Sequence, residues 1–264
     1  MYKLLAIDMD GTLLNSNREV SNENKNAIKN AIEKGVKVVI TSGRSLKGLE
    51  KFLEEMNLRG ENEYLIANNG GTIYKTDDFE CINYKGLSNE DLIESYKLSL
   101  NTGLQMMAYT HNDCVAPEEN EFTRFEKDFV GTEVKIIDCD LVKDDITKIL
   151  FAQKEENLEK IMKEVPKEYY DKYHVVKTMP TVLEVMNKEC NKGYGVKKLA
   201  DHLGINRDEI ICIGDQANDV EMIEYAGLGV AMGNAIEEVK SIANYVTDSN
   251  DNNGVAKVIE KFIL

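Results

Sequence analysis

The stretch from Leu4 to Leu14, LLAIDMDGTLL, indicates how the whole chain is organised. Its apolar run, Leu4 to Ile7, is too short for a helix, and the DMDG segment that follows it favours a turn. An unbroken apolar run is typical of a strand buried in a parallel sheet. In open α/β sheets, ligands bind outside the carboxyl ends of such strands. The stretch therefore predicts a buried strand that ends at a binding site.

The same pattern, a short apolar run followed by small polar residues, recurs along the chain. Val36 to Ile40 leads into TSGR, and Ile210 to Ile213 leads into GDQAND. Amphipathic segments lie between the runs, such as the one that Ser21 can cap and Gly35 can end. Alternating strands and helices predict right-handed crossovers. The expected fold class is α/β, with a Rossmann-like parallel sheet core and helices on both faces.

The middle of the chain departs from this alternation. From about Ile82 to Asn187, predicted strands meet at short turns, which favours an antiparallel or mixed sheet with helices on one face. The first pattern resumes with a helix predicted from Tyr194. We therefore expect an α/β core formed by residues 1–82 and 188–264, and an inserted α+β domain formed by residues 83–187.

Composition excludes several classes of partner. The 264 residues carry 32 Lys and Arg against 47 Asp and Glu, a formal net charge of -15. Such a surface disfavours nucleic acids and anionic membranes, and no apolar run approaches the length of a membrane span. The five cysteines form no CxxC pair, and Met1 to Lys3 leads directly into a strand without room for a signal peptide. These features predict a cytoplasmic protein and leave its oligomeric state open.

Carboxylates follow two of the predicted strands. Asp8 and Asp10 come after the first, and Asp215 and Asp219 after the last of the three. For each group alone, the alternative interpretation is a set of turn residues and helix caps. If the sheet is parallel, however, the groups converge on one edge, where they would repel each other without a cation. Hard oxygen ligands without His or Cys suit Mg²⁺, so the sequence predicts a magnesium site.

The remaining strand end fits a phosphate group. Ser42 supplies a hydroxyl, and Gly43 allows close backbone approach. Lys192 lies just before the helix predicted from Tyr194. It adds a local positive charge to a chain whose net charge is negative. Mg²⁺ also keeps coordination positions for waters or phosphate oxygens. A phosphorylated substrate is therefore the natural partner of this site.

Four motifs in this order resemble those of haloacid dehalogenase superfamily phosphatases. DMDGT (8–12) matches the DxDGT signature, and TSGR (41–44) is similar to the second motif, whose usual Thr is here Ser42. NKG (191–193) looks like the third, and GDQAND (214–219) like the fourth, GDxxND. The inserted domain resembles, in size and position, the type IIB cap of the Cof-type subfamily. The fold expected from the residues and the fold implied by the resemblance agree.

The resemblance implies a role for each carboxylate. Asp8 would be the nucleophile that forms an aspartyl-phosphate, and Asp10 would act as general acid and then general base. Mg²⁺ would be held by Asp8, Asp215 and the backbone carbonyl of Asp10, with Asp219 orienting the metal site or its waters. Arg44 has two open roles, a phosphate or cap contact and an ion-pair partner. The residues implied to hold the phosphoryl group are Thr12, Ser42, Gly43, Lys192 and Asn218.

The sequence thus predicts a Mg²⁺-dependent phosphomonoester hydrolase that acts on a small phosphorylated metabolite such as a sugar phosphate. A mobile cap would close over the substrate and select it. Two alternatives remain at this stage: a phosphoryl transferase or phosphosugar mutase on the same scaffold, and a non-catalytic sugar-phosphate binding protein. The latter would not need Asp10. No motif in the insert identifies the substrate.

Overall fold

A computed structural model describes residues 1–111, 113–130 and 132–264, with only the backbone described at 129 and 130. The chain divides into two compact units, a core of Met1–Tyr84 with Asn191–Leu264 and an insert of Lys85–Cys190. These limits lie within three residues of those predicted. Within the described ranges, no helix combines the length and apolar character needed to cross a membrane.

The helices and strands follow the chain in three segments. The first core segment contains β1 (Leu4–Asp8), α1 (Asn22–Glu33), β2 (Lys37–Thr41), α2 (Glu50–Glu55), β3 (Tyr64–Ala67), β4 (Thr72–Lys75) and β5 (Cys81–Tyr84). The insert contains α3 (Asn89–Thr102), β6 (Gln105–Thr110), β7 (Cys114–Ala116), α4 (Glu121–Phe125), β8 (Val134–Ile136), β9 (Ile146–Ala152), α5 (Glu155–Glu164), α6 (Lys167–Lys172), β10 (Tyr173–Met179) and β11 (Val182–Asn187). The second core segment contains α7 (Lys192–Leu203), β12 (Ile210–Gly214), α8 (Val220–Tyr225), β13 (Leu228–Ala231), α9 (Glu237–Ile242), β14 (Tyr245–Val246) and α10 (Gly254–Phe262).

The core sheet is parallel through its centre. Its strand order is β14-β13-β12-β1-β2-β3-β4-β5, and the pairs from β14 to β3 are all parallel. All five residues of β1 are buried, as expected for a central strand. Two helix pairs, α1 with α10 and α7 with α8, pack around the sheet. The predicted α/β fold class with a parallel sheet core is confirmed.

Two parts of the core differ from the prediction. The sheet continues beyond β3 through two antiparallel strands, β4 and β5, whereas the expected core sheet was parallel. The segment from Ser45 to Met56 has apolar residues at helical spacing, Leu49, Phe52, Leu53 and Met56, but does not form one continuous helix. The structure instead has a short 3₁₀ turn, Leu46–Gly48, followed by the six-residue α2, and the Ser45 side chain makes no capping bond. Gly48 weakens helix formation in the middle of that segment.

The insert forms a second, mixed sheet of its own. Its strand order among the described residues is β10-β11-β9-β6-β7-β8, with antiparallel pairs except for β7 and β8. Side chains alternate between its two faces: Ile149 and Phe151 join a large apolar cluster, whereas Leu150 joins a smaller one with Phe122 and Val182. The expected α+β character follows from this arrangement.

Candidate active site

The predicted site residues gather at the carboxyl edge of the core sheet. β12, β1 and β2 are neighbours in the sheet, and Asp8 pairs in register with Thr41 at the end of β2. Because the strands run parallel, the loops that follow them meet at one edge. This is the position at which α/β sheets bind ligands.

Three buried carboxylates form the centre of the site. Asp8, Asp215 and Asp219 each place an oxygen within 4.8 Å of the others. Burial raises the pKa of Asp8 well above its usual value, and Asp219 and Asp215 raise it further, against the pull of Lys192. Burial also raises the pKa of Asp215. Crowded, desolvated carboxylates without a nitrogen or sulfur ligand fit a hard divalent cation such as Mg²⁺.

Lys192 lies between two of these carboxylates. Its ammonium is 2.5 Å from Asp8 Oδ1 and 2.6 Å from Asp219 Oδ1, and the side chain is 1% exposed. Burial alone would lower the pKa of Lys192, but attraction to Asp8 and Asp219 outweighs burial and raises it. The lysine is therefore charged at neutral pH, as the phosphate-binding prediction requires.

The start of α7 fixes the position of this lysine. Lys192 is the first residue of the helix, and the Asn191 side chain caps it by accepting from the Tyr194 N–H at 2.7 Å. Gly70, at φ +88°, lies so close to this turn that a Cβ would come 2.0 Å from the Asn191 carbonyl oxygen. Only glycine lets the loop after β3 approach the helix that closely.

Asp219 is fully engaged by protein groups. Its Oδ2 accepts from the backbone N–H of Asp215 at 2.9 Å and of Gln216 at 3.0 Å, while Oδ1 accepts from Lys192. These bonds close the loop that follows β12. They suit a residue that orients the site, which is the role implied for Asp219 by the resemblance.

Thr12 makes a contact that the prediction did not include. We expected it among the phosphate-binding residues, which stays a prediction, and its hydroxyl donates to Asp215 Oδ1 at 2.9 Å. Gln216 Nε2 donates to the other oxygen of Asp215 at 3.1 Å. Because the side chain of Thr12 is fully buried beside that carboxylate, it orients Asp215.

Asp10 also differs from part of its prediction. Its carboxylate lies outside the group of three and is 55% exposed, so the expected four-carboxylate cluster is wrong. The Arg44 guanidinium holds it with two hydrogen bonds, one of them from Nε to Oδ2 at 2.8 Å. This bidentate pairing fixes the side chain in its exposed position. Of the two roles left open for Arg44, the structure has the ion pair.

Asn69, which the prediction missed, lies against Ser42, Gly43 and Asn218. Asn69, at φ +51°, donates from its backbone to the Ser42 carbonyl at 3.0 Å, and its side-chain oxygen accepts from Asn218 Nδ2 at 3.0 Å. A Cβ on Gly43 would lie 3.0 Å from the same oxygen. The sequence did contain a signal, because Asn69 follows β3 as the other site residues follow their strands.

The Ser42 side chain lies at the centre of this loop. Its hydroxyl is buried and accepts from the Arg44 N–H at 3.2 Å. A hydroxyl that accepts still carries a proton to donate, so Ser42 can bind an anion without breaking this bond.

These features define a class of protein: an α/β enzyme with a buried lysine and carboxylates suited to a metal at the carboxyl edge of its sheet. Residues 5–259 match the haloacid dehalogenase-like hydrolase family, and the chain belongs to it. The resemblance to this superfamily and its Cof-type subfamily is thereby confirmed.

The relatives extend over the whole chain. YxeH of Bacillus subtilis (strain 168), named as a phosphatase, is 40% identical and covers 100% of this chain and 99% of its own. YcsE of the same strain, named 5-amino-6-(5-phospho-D-ribitylamino)uracil phosphatase, is 35% identical over 99% of this chain and 96% of its own. A haloacid dehalogenase-like hydrolase from Bacteroides thetaiotaomicron has the same fold, with a TM-score of 0.87, 30% identity and 99% of each chain covered. The protein is an enzyme, a phosphatase of this family.

Proposed function

We propose that the protein is a Mg²⁺-dependent phosphomonoester hydrolase that works through an aspartyl-phosphate on Asp8. The observation that supports this most directly is the burial of Asp8 beside Lys192 and Asp219, at 2.5 Å from the lysine ammonium. A purely structural role does not need a carboxylate there, because burying charges costs free energy that apolar side chains would not incur. The arrangement suits a nucleophile whose negative charge is stabilised by Lys192 and would be stabilised further by a bound cation.

The proposed reaction has two displacements. In the first, a carboxylate oxygen of Asp8 attacks phosphorus, the bond from phosphorus to the ester oxygen breaks, and Asp10 gives its proton to the leaving alkoxide. In the second, water attacks the phosphoaspartate, Asp10 accepts a proton from that water, and the bond to Asp8 breaks to release inorganic phosphate. The two steps together return Asp8 and Asp10 to the states in which they began.

Protein groups stabilise the phosphoryl charge in both steps. Lys192, Ser42, Asn218 and the backbone at Gly43 are proposed to hold its oxygens, with Asn69 keeping the last three in register. Asp8, Asp215 and the backbone carbonyl of Asp10 would hold Mg²⁺, which supplies further charge neutralisation when bound. The Asp10 carboxyl has to leave Arg44 to reach the leaving group, and its exposure allows that rotation.

The substrate is proposed to be a small phosphorylated metabolite, such as a sugar phosphate, and the insert to select it. The YcsE name describes a phosphate on a polyol chain joined to a ring, which is consistent with a small metabolite. We also infer a cytoplasmic location, with which the free thiols of all five cysteines agree.

Release of inorganic phosphate from p-nitrophenyl phosphate tests this proposal. We expect release that depends on Mg²⁺ and is lost in Asp8→Asn, with Lys257→Gln, on the exposed side of α10, as the control. Turnover of wild type at the level of Asp8→Asn would contradict the hydrolase. Dependence on an added sugar bisphosphate would favour a mutase instead.

A further inference from the structure

The loop that follows β13, residues 232–236, is bonded to two loops that contribute proposed metal ligands. The Ile236 N–H donates to the backbone carbonyl of Asp215 at 3.0 Å. The side chain of Asn234 donates from Nδ2 to the backbone carbonyl of Gly11 at 2.8 Å. Gly11 directly follows Asp10, whose own carbonyl is proposed to bind the metal. One short loop therefore holds the backbone beside two of the proposed ligands.

The peptide group that Asn234 holds lies directly against the Asp215 carboxylate. Gly11 is at φ +83°, and a Cβ there would lie 2.5 Å from Asp215 Oδ2, so only glycine allows this approach. The next residue, Thr12, donates its hydroxyl to Oδ1 of the same carboxylate at 2.9 Å. The Gly11 carbonyl belongs to the peptide group that joins these two residues. A change in the orientation of this peptide group would therefore move both neighbours of the carboxylate.

Asn234 is itself held in place through its side-chain oxygen. This Oδ1 accepts from the backbone N–H of Asn250 at 3.0 Å. The side chain of Asn250 in turn donates to the carbonyl of Leu14 at 2.9 Å. The loop after β1 is thus bonded at two carbonyls by residues 223 and 236 positions further along the chain. Because the Asn234 side chain is exposed, its two hydrogen bonds rather than core packing set its orientation.

We propose that Asn234 is a positioning residue for the metal site, which keeps the Asp10 carbonyl and the Asp215 carboxylate at the spacing that one cation requires. Mg²⁺ demands nearly ideal octahedral geometry, so a displaced ligand lowers its affinity. Residues that orient metal ligands without touching the metal change metal affinity by about 10- to 100-fold when they are replaced. A merely structural contact would affect the stability of the fold and leave the affinity for Mg²⁺ unchanged. This inference rests on the proposed function and on the metal ligands named there.

The test measures the affinity for Mg²⁺ by calorimetric titration of the full-length protein, after treatment with EDTA and desalting, without substrate. Asn234→Ala removes both hydrogen bonds of the side chain. Asn234→Asp keeps an acceptor for the Asn250 N–H but cannot donate to the Gly11 carbonyl. The matched controls are Asn252→Ala and Asn252→Asp. Asn252 is also exposed, and its side chain donates to Ser249 Oγ at 2.8 Å rather than to the loop after β1.

We expect the Kd for Mg²⁺ to be about tenfold higher in Asn234→Ala than in wild type, the lower end of the range for such residues. Asn252→Ala should stay within about twofold of wild type, the scatter expected for independent sites. Asn234→Asp should bind Mg²⁺ more weakly than Asn252→Asp, although both carry the same added negative charge.

Circular dichroism in EDTA shows which variants are folded. A folded Asn234→Ala with a Kd within about twofold of the wild-type value would overturn the inference. If this variant does not fold, the comparison of Asn234→Asp with Asn252→Asp decides, and equal affinities would then overturn it. Failure of both Asn234 variants to fold would make the residue structural and would overturn the inference as well.

A kinetic measurement separates this inference from the proposed hydrolase. The Mg²⁺ concentration that gives half of the maximal rate on p-nitrophenyl phosphate should rise in Asn234→Ala in parallel with the Kd. A higher Kd in this variant, together with a wild type that releases no phosphate, would refute the hydrolase and keep the positioning role. Phosphate release with the same half-activating Mg²⁺ concentration in wild type and Asn234→Ala would do the reverse. A wild type that binds no Mg²⁺ would refute the metal site in both.

Discussion

At the scale of single residues, the site is a problem of charge balance. Asp8, Asp215 and Asp219 contribute three negative charges when ionised, and Lys192 contributes one positive charge. The remaining two negative charges are buried, and they equal the charge of one divalent cation. Without such an ion, protonation of Asp8 reduces the repulsion among the carboxylates, which agrees with its raised pKa. Binding of a metal and ionisation of Asp8, the proposed nucleophile, would therefore be linked in this site.

Asp8→Asn tests the nucleophile. The amide has nearly the same volume but cannot attack phosphorus, so turnover should fall by several orders of magnitude while the core stays folded. The measurement is phosphate release at saturating Mg²⁺, with circular dichroism as the check on folding. A variant that keeps more than a tenth of the wild-type rate would have lost only about 1.4 kcal/mol of barrier lowering, and the assignment would then be wrong.

Asp10→Asn tests the general acid. A sugar alkoxide is a poor leaving group that needs a proton, whereas p-nitrophenolate hardly does. The variant should therefore lose more rate on a sugar phosphate than on p-nitrophenyl phosphate. Arg44→Lys is the companion variant, because it keeps the charge beside Asp10 but not the bidentate geometry. Equal losses on the two substrates in Asp10→Asn would count against the acid role.

At the scale of elements, local sequence predicts where strands end but not which side chains meet there. The apolar runs of β1, β2 and β12 identified three strand ends, and Ser21 and Gly35 were correctly predicted to bound α1. The Arg44–Asp10 pair joins loops 34 residues apart, and its geometry depends on the tertiary fold. The same holds for Asn69 and Asn218, 149 residues apart. The local sequence contains no pattern that predicts pairings of this kind.

The first turn of α3 contains a carboxylate, Asp91, whose pKa affects how the stability of the insert depends on pH. Asp91 completes the capping box with Ser88 and accepts from Tyr173 Oη at 2.6 Å, with Lys172 Nζ 2.8 Å away. Burial acts to raise the pKa of Asp91, but these bonds outweigh it and lower the pKa to about 2. Because the folded pKa is lower than the unfolded one, this stabilisation is present above about pH 4 and is lost as the pH falls towards 2.

Asp91→Asn should therefore destabilise the insert at neutral pH and make its stability less dependent on pH between about 4 and 2. Urea unfolding of the full-length protein, followed by circular dichroism at several pH values, measures both effects. Glu90→Gln, an exposed change in the same helical turn, is the control. If wild type and Asp91→Asn lost stability in parallel over this range, Asp91 would not be the group responsible.

At the scale of the whole molecule, metal binding should appear as stability of the core. A ligand that binds only the folded state raises the free energy of unfolding, by about 2.7 kcal/mol at 100 times its Kd. We expect Mg²⁺ to raise the melting temperature after exhaustive treatment with EDTA, and Asp215→Asn to reduce that rise. Asp251→Asn, exposed and outside the three-carboxylate group, is the control. An identical response of wild type and Asp215→Asn would contradict the metal assignment.

The division of the chain into two units allows the chemistry and the selectivity to be separated. Each contact described for the active site lies within the core unit, which has an apolar cluster of its own. Tyr84 pairs in register with Thr72, and Asn191 lies against Gly70, so both ends left by deleting residues 85–190 are held beside one loop. A short Gly-Ser linker can therefore join Tyr84 to Asn191.

We expect the joined core to fold, to bind Mg²⁺ and to hydrolyse p-nitrophenyl phosphate slowly, because the nucleophile, the lysine and the proposed metal ligands all remain. It should lose discrimination among sugar phosphates, since the insert, which is proposed to select the substrate, has been removed. The measurement is kcat/KM across a panel of phosphorylated metabolites, with the full-length enzyme as the reference. A core that fails to fold would mean that the insert stabilises it. A folded core with the full-length order of substrate preference would refute selection by the insert.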